Sequence, residues 1–384
     1  MWPPSSDPNR DSDECHVLDS RLSGVHASRL HPAISPTTRF DGRYDLLAYL
    51  GGGRFGEVWK ALDTTTGRTV ALKLIDPVHT APDDAWQEAT LLTSLASPNG
   101  PSAPFLVSVH GASLSGLGVP YIDMALAGGS VEGLCSPFGV DEATAVRWTQ
   151  RVARGLQLVH DRRLIHRDVK PDNVLLSHTG DALLGDFGAT AVMAADGTAG
   201  EHGDVHVRAP EAFGGVCSAP GDIYSLGVCL FYFVVGSYPY AFSDYGCIVP
   251  SFAAAVRSGL PDVREAAPHL SLSIARIINK ATDVDPRSRY KSASEFDTAL
   301  AEHRPPSRAI RRVCECAGAE RCWDAIPGAR ESLSTIHVCC RRASHNSFEI
   351  ETRHAGGRRI SAQCATVSAR QLSARLRKVF RSLH

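Results

Sequence analysis

The chain has 384 residues, of which 43% are hydrophobic, and a formal net charge of -1. This is the composition of a soluble globular protein with room for one large domain or two ordinary ones. No apolar run reaches the ~18 residues that a membrane span needs. The start MWPPSSDPNRDSD is acidic and Pro-rich without an apolar core, so we do not expect it to act as a secretory signal. We therefore expect a cytoplasmic protein whose eleven Cys are mostly reduced.

Charge is divided unevenly along the chain. Residues 304–384 carry 16 Lys and Arg against 6 Asp and Glu, a net charge of +10. The preceding 303 residues carry 24 against 35, a net charge of -11. The pattern indicates a basic appendage on an acidic body.

The first part of the chain predicts an arm and then strands. Residues 1–40 are rich in Pro, Ser, Asp and His without sustained periodicity, which predicts a flexible arm. Residues 44–75 predict three strands joined by a glycine-rich turn and by the turn TTTGR. Helical spacing follows at 83–95.

Helices dominate the next part. The segment 141–160, DEATAVRWTQRVARGLQLVH, predicts an amphipathic helix. Its apolar face consists of Ala145, Trp148, Val152, Leu156 and Val159. The apolar run 223–236 is too short to span a bilayer and predicts a buried core helix. Strands first and helices later predict an α+β domain of two unlike lobes over 41–303, and HRPPSR at 303–308 predicts a linker.

The basic segment 304–384 predicts a small β-β-β-α module. SLSTIHVCCRR and SFEIETRH are typical of strands, and the glycine pair at 356–357 could turn a hairpin into a third strand, RRISAQCATV. ARQLSARLRKVFRSL has a helical apolar stripe. The segment's six Cys lack paired C-x-x-C spacing, which favours buried thiols over a zinc site.

Two patterns point to phosphate binding. Residues 51–58, GGGRFGEV, fit G-x-G-x-x-G-x-V between two strands, which argues against a dinucleotide-binding fold. Backbone amides of such a turn can close over phosphates because few Cβ atoms block the approach. Lys73 lies in the apolar strand VALK, where an unpaired charge is costly. It either faces the surface or binds phosphates while paired with Glu88 of the next helix.

The segment LIHRDVKPDNVLL, 164–176, brings an acid, a base and an amide within six residues: Asp168, Lys170 and Asn173. Alone it fits a polar turn about as well as it fits catalysis. Further motifs follow in order: Asp186-Phe187-Gly188, Ala209-Pro210-Glu211, Asp222-Ile223-Tyr224-Ser225-Leu226-Gly227 and Asp285-Pro286-Arg287-Ser288-Arg289-Tyr290.

As an ordered set, these motifs resemble the catalytic domain of eukaryotic-like (Hanks-type) serine/threonine protein kinases over about residues 41–303. The resemblance implies a bilobal fold with a β-rich N-lobe and an α-rich C-lobe. It also implies transfer of the γ-phosphoryl group of ATP, with Mg²⁺, to Ser and Thr hydroxyls of proteins, the kinase itself included.

The resemblance also assigns roles to residues. Asp168 accepts the proton of the attacking hydroxyl and Lys170 steadies the phosphoryl group. Asn173 and Asp186 hold Mg²⁺. The implied nucleotide-binding residues are Gly51, Gly53, Gly56, Val58, Ala71, Lys73 and Glu88.

Other residues take structural or regulatory roles by the same resemblance. His166 would stack with Phe187, Glu211 would pair with Arg289, and Asp222 would anchor the catalytic loop. Lys170 indicates hydroxyl amino acids as substrates. Arg167 is typical of kinases controlled by phosphorylation of the activation segment, for which Thr198 is the candidate; an unmodified Thr198 is equally consistent.

One departure leaves alternatives open. Asp204 occupies a position where the family usually has Thr, and it could pair with Lys170 or mimic a negative signal. A pseudokinase scaffold is disfavoured because Lys73, Asp168, Asn173 and Asp186 are all present. A small-molecule phosphotransferase is disfavoured by the Ala-Pro-Glu motif. For the basic segment 304–384 we favour docking onto the kinase domain over nucleic-acid binding.

Overall fold

In this computed structural model the described residues are 28–36, 38–53, 56–78, 90, 104–313, 316–328 and 333–383. They form two compact units: the first holds the described residues up to 78 together with 109–126, and the second holds 90, 104–108 and the described residues from 127 onward. The helix predicted at 83–95 lies outside the described residues, apart from Thr90.

The first unit contains a six-stranded antiparallel sheet in the order β1-β2-β3-β4-β6-β5. Its strands are β1 (Arg39–Phe40), β2 (Tyr44–Gly53), β3 (Gly56–Asp63), β4 (Arg68–Ile75), β5 (Val109–Leu114) and β6 (Pro120–Ala125). The predicted turn TTTGR does join β3 to β4, where the Gly67 amide donates to the Asp63 carbonyl oxygen at 2.8 Å. Alternating apolar residues of β3 and β4 bury one face of the sheet in a core that includes Trp59, Val70 and Leu72.

The described part of the predicted arm packs against this sheet. Ile34 and Phe40 are 1% and 3% exposed and belong to the same core. The Arg29 amide donates to Glu57 Oε1 at 2.9 Å. For residues 28–36 and 38–40 the structure therefore corrects the expectation of a flexible arm, because two apolar side chains among polar ones suffice to bury this segment.

The second unit begins with helices and short strand pairs. Its helices up to residue 302 are α1 (Val131–Cys135), α2 (Glu142–His160), α3 (Ala219–Val235), α4 (Val249–Arg257), α5 (Val263–Ala266), α6 (Leu272–Ala281) and α7 (Ala293–Glu302). The strands in this part are β7 (Leu164–Ile165), β8 (Val174–Leu176), β9 (Ala182–Leu184), β10 (Ala191–Val192), β11 (Thr198–Gly200) and β12 (Val216–Ser218). They pair as β7 with β10, β8 with β9 and β11 with β12.

Two predicted helices of this unit are confirmed. Helix α2 begins after Asp141, whose carboxylate accepts a hydrogen bond from the Thr144 amide at 3.1 Å. Its predicted apolar face is buried. Helix α3 is buried over 222–234 and ends at Gly236, in the left-handed region with φ 87°. None of the described helices is both long and apolar enough to cross a bilayer.

The C-terminal module forms a five-stranded antiparallel sheet covered by one helix. Its elements are β13 (Arg308–Val313), β14 (Arg321–Pro327), β15 (Ile336–Ser344), β16 (Ser347–His354), β17 (Ala365–Ser368) and α8 (Ala369–Arg381). The strands lie in sequence order. Trp323, Val338, Ile350 and Phe380 are among the residues of its own core.

The β-β-β-α prediction for this module needs two corrections. Strands β13 and β14 were missed, since three Arg hide the alternation in RAIRRV and its first residue was assigned to the linker. Of the predicted third strand, RRISAQCATV, only the end lies in β17, and 361–363 form a 3-10 turn. The glycine pair does turn the chain back onto β16, since Arg359 bridges Arg353 and the Ile360 amide donates to the Thr352 carbonyl oxygen at 2.8 Å. The 3-10 turn then interrupts this pairing before β17 resumes it.

Candidate active site

The glycine-rich turn joins β2 to β3. Gly51 pairs with Val58 and Gly53 with Gly56 across the antiparallel ladder; residues 54 and 55 lie outside the described residues. A Cβ atom at Gly56 would lie 2.0 Å from a backbone carbonyl oxygen of β4. Glycine is therefore required at this position of β3, beside β4.

Three predicted nucleotide-binding side chains share one face of the sheet. Val58 lies directly opposite Lys73, and Ala71 precedes Lys73 by two residues, so strand alternation places all three on the same face. The other face carries the core around Trp59. Glu88, the predicted partner of Lys73, lies outside the described residues.

Asp168, Lys170 and Asn173 converge in the loop between β7 and β8. Asn173 Nδ2 donates to the Asp168 carbonyl oxygen at 2.8 Å and to Asp168 Oδ2 at 3.0 Å. Lys170 Nζ lies 3.1 Å from the same Oδ2 atom. The 3-10 turn Pro171–Asn173 folds the amide back onto the carboxylate. Asp168 and Asn173 are only 9% and 7% exposed, so the carboxylate has a fixed orientation.

Asp222, in the first turn of α3, anchors this loop as the resemblance implied. Its carboxylate accepts hydrogen bonds from the amides of His166 at 2.8 Å and Arg167 at 2.9 Å. His160 Nε2 lies 2.9 Å from Asp222 Oδ2. Arg167 has a left-handed backbone, with φ 68°. Such a conformation is costly for a residue with a Cβ atom, and the two bonds to Asp222 offset that cost.

Asp186 follows β9 and also has a left-handed backbone, with φ 54°. The next side chain, Phe187, packs against the His166 ring with the centroids 4.9 Å apart, which confirms the predicted contact. His166 Nε2 lies 3.2 Å from the Gly185 carbonyl oxygen. His166 and Phe187 are buried, so they connect the segment of Asp186 rigidly to the catalytic loop.

Asp204 lies beside both catalytic candidates. Its amide donates to Asp168 Oδ1 at 2.9 Å, and its Oδ2 atom lies 3.8 Å from Lys170 Nζ. Burial disfavours the charged Asp204 carboxylate, but hydrogen bonds from His206 outweigh this and lower its pKa to about 2. Burial also opposes the charge of Lys170, yet the carboxylates of Asp168 and Asp204 raise the Lys170 pKa. The ammonium group therefore stays charged between two carboxylates at neutral pH.

The Ala-Pro-Glu motif is held by the predicted ion pair. Arg289 Nη1 donates to Glu211 Oε1 at 2.7 Å and Nη2 to Glu211 Oε2 at 2.8 Å. Arg289 is 2% exposed. A bidentate pair of this kind is geometrically specific, so it fixes the 3-10 turn Pro210–Gly214.

Thr198, the candidate phosphorylation site, is the first residue of β11. Its hydroxyl donates to Asp196 Oδ1 at 2.7 Å. Arg167 Nη1 donates to the Gly200 carbonyl oxygen, in the same strand, at 2.9 Å. A cation of the catalytic loop thus reaches the strand that carries Thr198.

Sequence analysis missed two features of this region. Gly203 has φ 92°, and a Cβ atom there would lie 2.0 Å from the Arg167 carbonyl oxygen. The only sign of Gly203's role in the sequence was its position immediately before Asp204. Glu132 hydrogen-bonds to Asp172, and this bond, together with burial, raises the pKa of Glu132 to about 8. Nothing in the sequence marked this pair, since the two residues are far apart in the chain.

The protein kinase domain family matches residues 44–299. The chain is 30% identical over 273 residues to the serine/threonine-protein kinase PrkC of Bacillus subtilis, covering 68% of this chain and 40% of PrkC. It is 30% identical over 269 residues to PknD of Mycobacterium tuberculosis, covering 68% and 39%. For PknA of the same species the identity is 30% over 327 residues, covering 82% and 73%.

The chain thus spans about two fifths of the length of PrkC and PknD. The matched range contains every motif from the glycine-rich turn to Arg289. The chain belongs to the protein kinase family, in the Hanks-type serine/threonine branch of these bacterial relatives.

Proposed function

We propose that this chain transfers the γ-phosphoryl group of ATP to Ser and Thr hydroxyls of proteins, itself included. The observation that carries this proposal is the Asp168 carboxylate, held by Asn173 at 3.0 Å and by Lys170 at 3.1 Å. As the hydroxyl oxygen bonds to phosphorus and the bond to the ADP oxygen breaks, Asp168 accepts the hydroxyl proton. The ammonium group of Lys170 offsets the charge of the phosphoryl oxygens.

Asn173 and Asp186 are the proposed Mg²⁺ ligands. The side-chain nitrogen Nδ2 of Asn173 is engaged by Asp168, which leaves the side-chain oxygen Oδ1 as the ligand atom for a cation. Asp186 adds a carboxylate, and a hard cation such as Mg²⁺ prefers oxygen donors of these two kinds. When bound, Mg²⁺ supplies charge neutralisation for the phosphate oxygens.

The first unit is proposed to contribute the nucleotide-binding residues. Backbone amides of the turn 51–56 and the ammonium group of Lys73 suit phosphate oxygens. Val58 and Ala71, on the same face as Lys73, suit the apolar surface of a base. The kinase names of PrkC and PknA support the same chemistry.

A protein, rather than a small molecule, is the proposed acceptor. The Glu211–Arg289 pair supports it, because in this family the Ala-Pro-Glu segment lies beneath the lip that binds the substrate peptide. Lys170 supports Ser and Thr as acceptors. Asp204 keeps the backbone hydrogen bond to Asp168 that positions the base, which favours an active kinase over a scaffold.

The test is phosphate incorporation by the purified chain with ATP and Mg²⁺, read by intact mass and site mapping. The control is Asp168→Asn, which preserves shape but removes the base; its fold is checked by thermal unfolding. We expect phosphate on the wild type alone, and its presence on Thr198 would establish an activation-segment site. If neither protein gained phosphate, with a generic Ser/Thr substrate and with Asp204→Thr beside them, the chain would be a nucleotide-binding scaffold.

We further propose that the basic C-terminal module docks onto the kinase domain. Arg311 Nη2 donates to Asp141 Oδ2 at 2.9 Å. Arg377 Nη2, on α8, donates to Asp262 Oδ2 at 3.1 Å and to Glu265 Oε1 at 2.6 Å. These pairs join the basic segment to the acidic body, which supports docking as the use of the module's charge.

Ring contacts support the same docking. The centroid of the His269 ring lies 5.9 Å from that of Phe380 and 6.4 Å from that of Trp323. The Arg312 guanidinium lies 4.9 Å from the Phe138 ring centroid. Arginines engaged in this way are less available to a nucleic acid, which makes that partner the less favoured one.

A further inference from the structure

The sheet of the C-terminal module has one apolar face and one polar face. Trp323 of β14 and Val338 of β15 belong to the core covered by α8. Because side chains alternate along a strand, Cys322 and Cys339 lie on the opposite face. Apart from residues at the strand ends, the other side chains of β14 to β16 on that face are polar or charged. They are Asp324, His337, Arg341, Glu349, Glu351 and Arg353. The two thiols are 3% and 2% exposed, yet they lie outside the apolar cluster that α8 covers.

A third thiol joins them from the connection between β13 and β14. Cys316 Sγ lies 3.0 Å from Cys339 Sγ, and Cys322 Sγ lies 3.2 Å from Cys339 Sγ. All three Sγ atoms lie within 4.8 Å of one another. The three are free cysteines. Since a thiol is a weak hydrogen-bond donor and acceptor, hydrogen bonding alone explains little of this convergence.

The spacing fits a tetrahedral metal ion. Zinc–sulfur bonds are about 2.3 Å long, so two sulfurs of one tetrahedral zinc lie roughly 3.8 Å apart. The two separations from Cys339 Sγ, 3.0 and 3.2 Å, are shorter than this, so the thiols need to move apart by less than about 1 Å to hold an ion. The ligands come from one connection and two neighbouring strands, so their sequence spacing forms no C-x-x-C pair. This is why the sequence favoured isolated thiols.

The charges around the cluster fit bound thiolates. Arg353 Nη2 lies 4.0 Å from Cys316 Sγ. Arg341, two residues beyond Cys339, pairs with Glu351 at 2.8 Å. Three thiolates on Zn²⁺ carry one net negative charge, and a neighbouring guanidinium that donates toward a ligand sulfur stabilises it.

We propose that Cys316, Cys322 and Cys339 bind a Zn²⁺ ion that ties the β13–β14 connection to the polar face of the sheet. Binding deprotonates three thiols, releases three protons to solvent and forms three Zn–S bonds. A water or another donor completes the coordination. Cys314 lies outside the described residues and is not counted among the ligands. The module spans only 308–383, and domains of this size often need such a metal for stability.

The experiment measures metal in the full chain purified under reducing conditions from zinc-supplemented cells. We expect one Zn²⁺ per chain by elemental mass spectrometry, and loss of most of it in Cys316→Ser, Cys322→Ser and Cys339→Ser. Cys340→Ser is the matched control. It is a buried thiol next to Cys339 in β15, but its side chain lies in the apolar core, so it should retain the ion.

A second measurement covers variants that fail to fold. The chelator-stripped wild type is titrated with Co²⁺, and thiolate-to-cobalt charge-transfer absorption at one equivalent is expected. Cys316 lies in a connection, so Cys316→Ser is the variant least disruptive to packing, and it should weaken this absorption. The zinc site would be overturned by a metal-free wild type that gives no cobalt signal. Equal metal in Cys339→Ser and Cys340→Ser, or a native disulfide among the three thiols, would overturn it as well.

Discussion

At Gly203 a single hydrogen atom in place of a methyl group determines whether the activation segment can reach the catalytic loop. The residue has φ 92°, and a Cβ atom would lie 2.0 Å from the Arg167 carbonyl oxygen. In Gly203→Ala the backbone must therefore move, and the Asp204 amide loses its bond to Asp168 Oδ1. We expect a fall of about 100-fold in phosphorylation rate on a generic Ser/Thr substrate, since misplacement by about 1 Å can cost that much. Gly200→Ala, in the same segment with open space around it, should keep the wild-type rate, and equal rates for both variants would contradict this account.

The carboxyl group of Glu132 makes the stability of the folded chain depend on pH. Its hydrogen bond with Asp172 and its burial raise its pKa from 4.5 to about 8. A carboxyl group with a raised folded-state pKa stabilises the fold fully below its unfolded pKa and loses that contribution as pH rises through the folded one. The melting temperature of Glu132→Gln relative to wild type should therefore increase between pH 5 and pH 8. Glu302→Gln, which removes an exposed carboxylate at the end of α7, is the control for the change of charge. A constant difference for Glu132→Gln would mean that the carboxyl pair shares no proton.

At the scale of single elements, local patterns predicted the most. Helix α2 was predictable because its apolar face, its period and its capping Asp141 lie within one continuous segment. The trio Asp168, Lys170 and Asn173 was predictable for the same reason, since a 3-10 turn brings neighbours in sequence together. Strand β13 was not, because its inward-facing Ile310 stands among arginines that conceal the alternation.

Elements also meet in ways that no local pattern encodes. The anchoring of the catalytic loop by Asp222 came only from family resemblance, whereas the Glu132–Asp172 bond had no such guide. The three clustered thiols come from one connection and two strands, and strand register brings Cys322 opposite Cys339. Register depends on which residues are buried across the whole sheet, so the cluster became visible only once the strands were in place.

At the scale of the whole molecule, the division of charge is the strongest sequence signal beyond the kinase motifs. A net charge of +10 follows 303 residues with a net charge of -11. From the sequence, docking onto the kinase domain was the preferred interpretation of this pattern, and a solvated basic face was favoured over nucleic-acid binding. The pairing of Arg311 with Asp141 and of Arg377 with Glu265 gives the docking proposal specific atoms to test.

Charge reversal at Arg377 tests the docking of the module. The Arg377 side chain is 23% exposed and contacts two carboxylates, so Arg377→Glu should lower the free energy of unfolding by about 1 kcal/mol, as for partly exposed ion pairs. The loss should shrink at 1 M salt, where such pairs are screened. Glu265→Arg added to Arg377→Glu should restore part of the stability, because the pair is remade with its charges exchanged.

The matched control for the charge reversal at Arg377 is Arg370→Glu, since Arg370 is an exposed residue of the same helix. Both variants change the net charge and the helix propensity of α8 alike. Arg370→Glu should therefore lower the free energy of unfolding by less than Arg377→Glu, because only Arg377→Glu breaks the contacts with Asp262 and Glu265. Denaturant unfolding would measure the free energy of unfolding of each variant. Hydrogen exchange of the amides in α5 and α8 would then show whether the loss is local to the docked elements. If the two reversals cost the same and the double variant recovered nothing, the basic helix would be a solvated face. Phosphorylation rates of the same four proteins would then show whether docking alters catalysis or only stability.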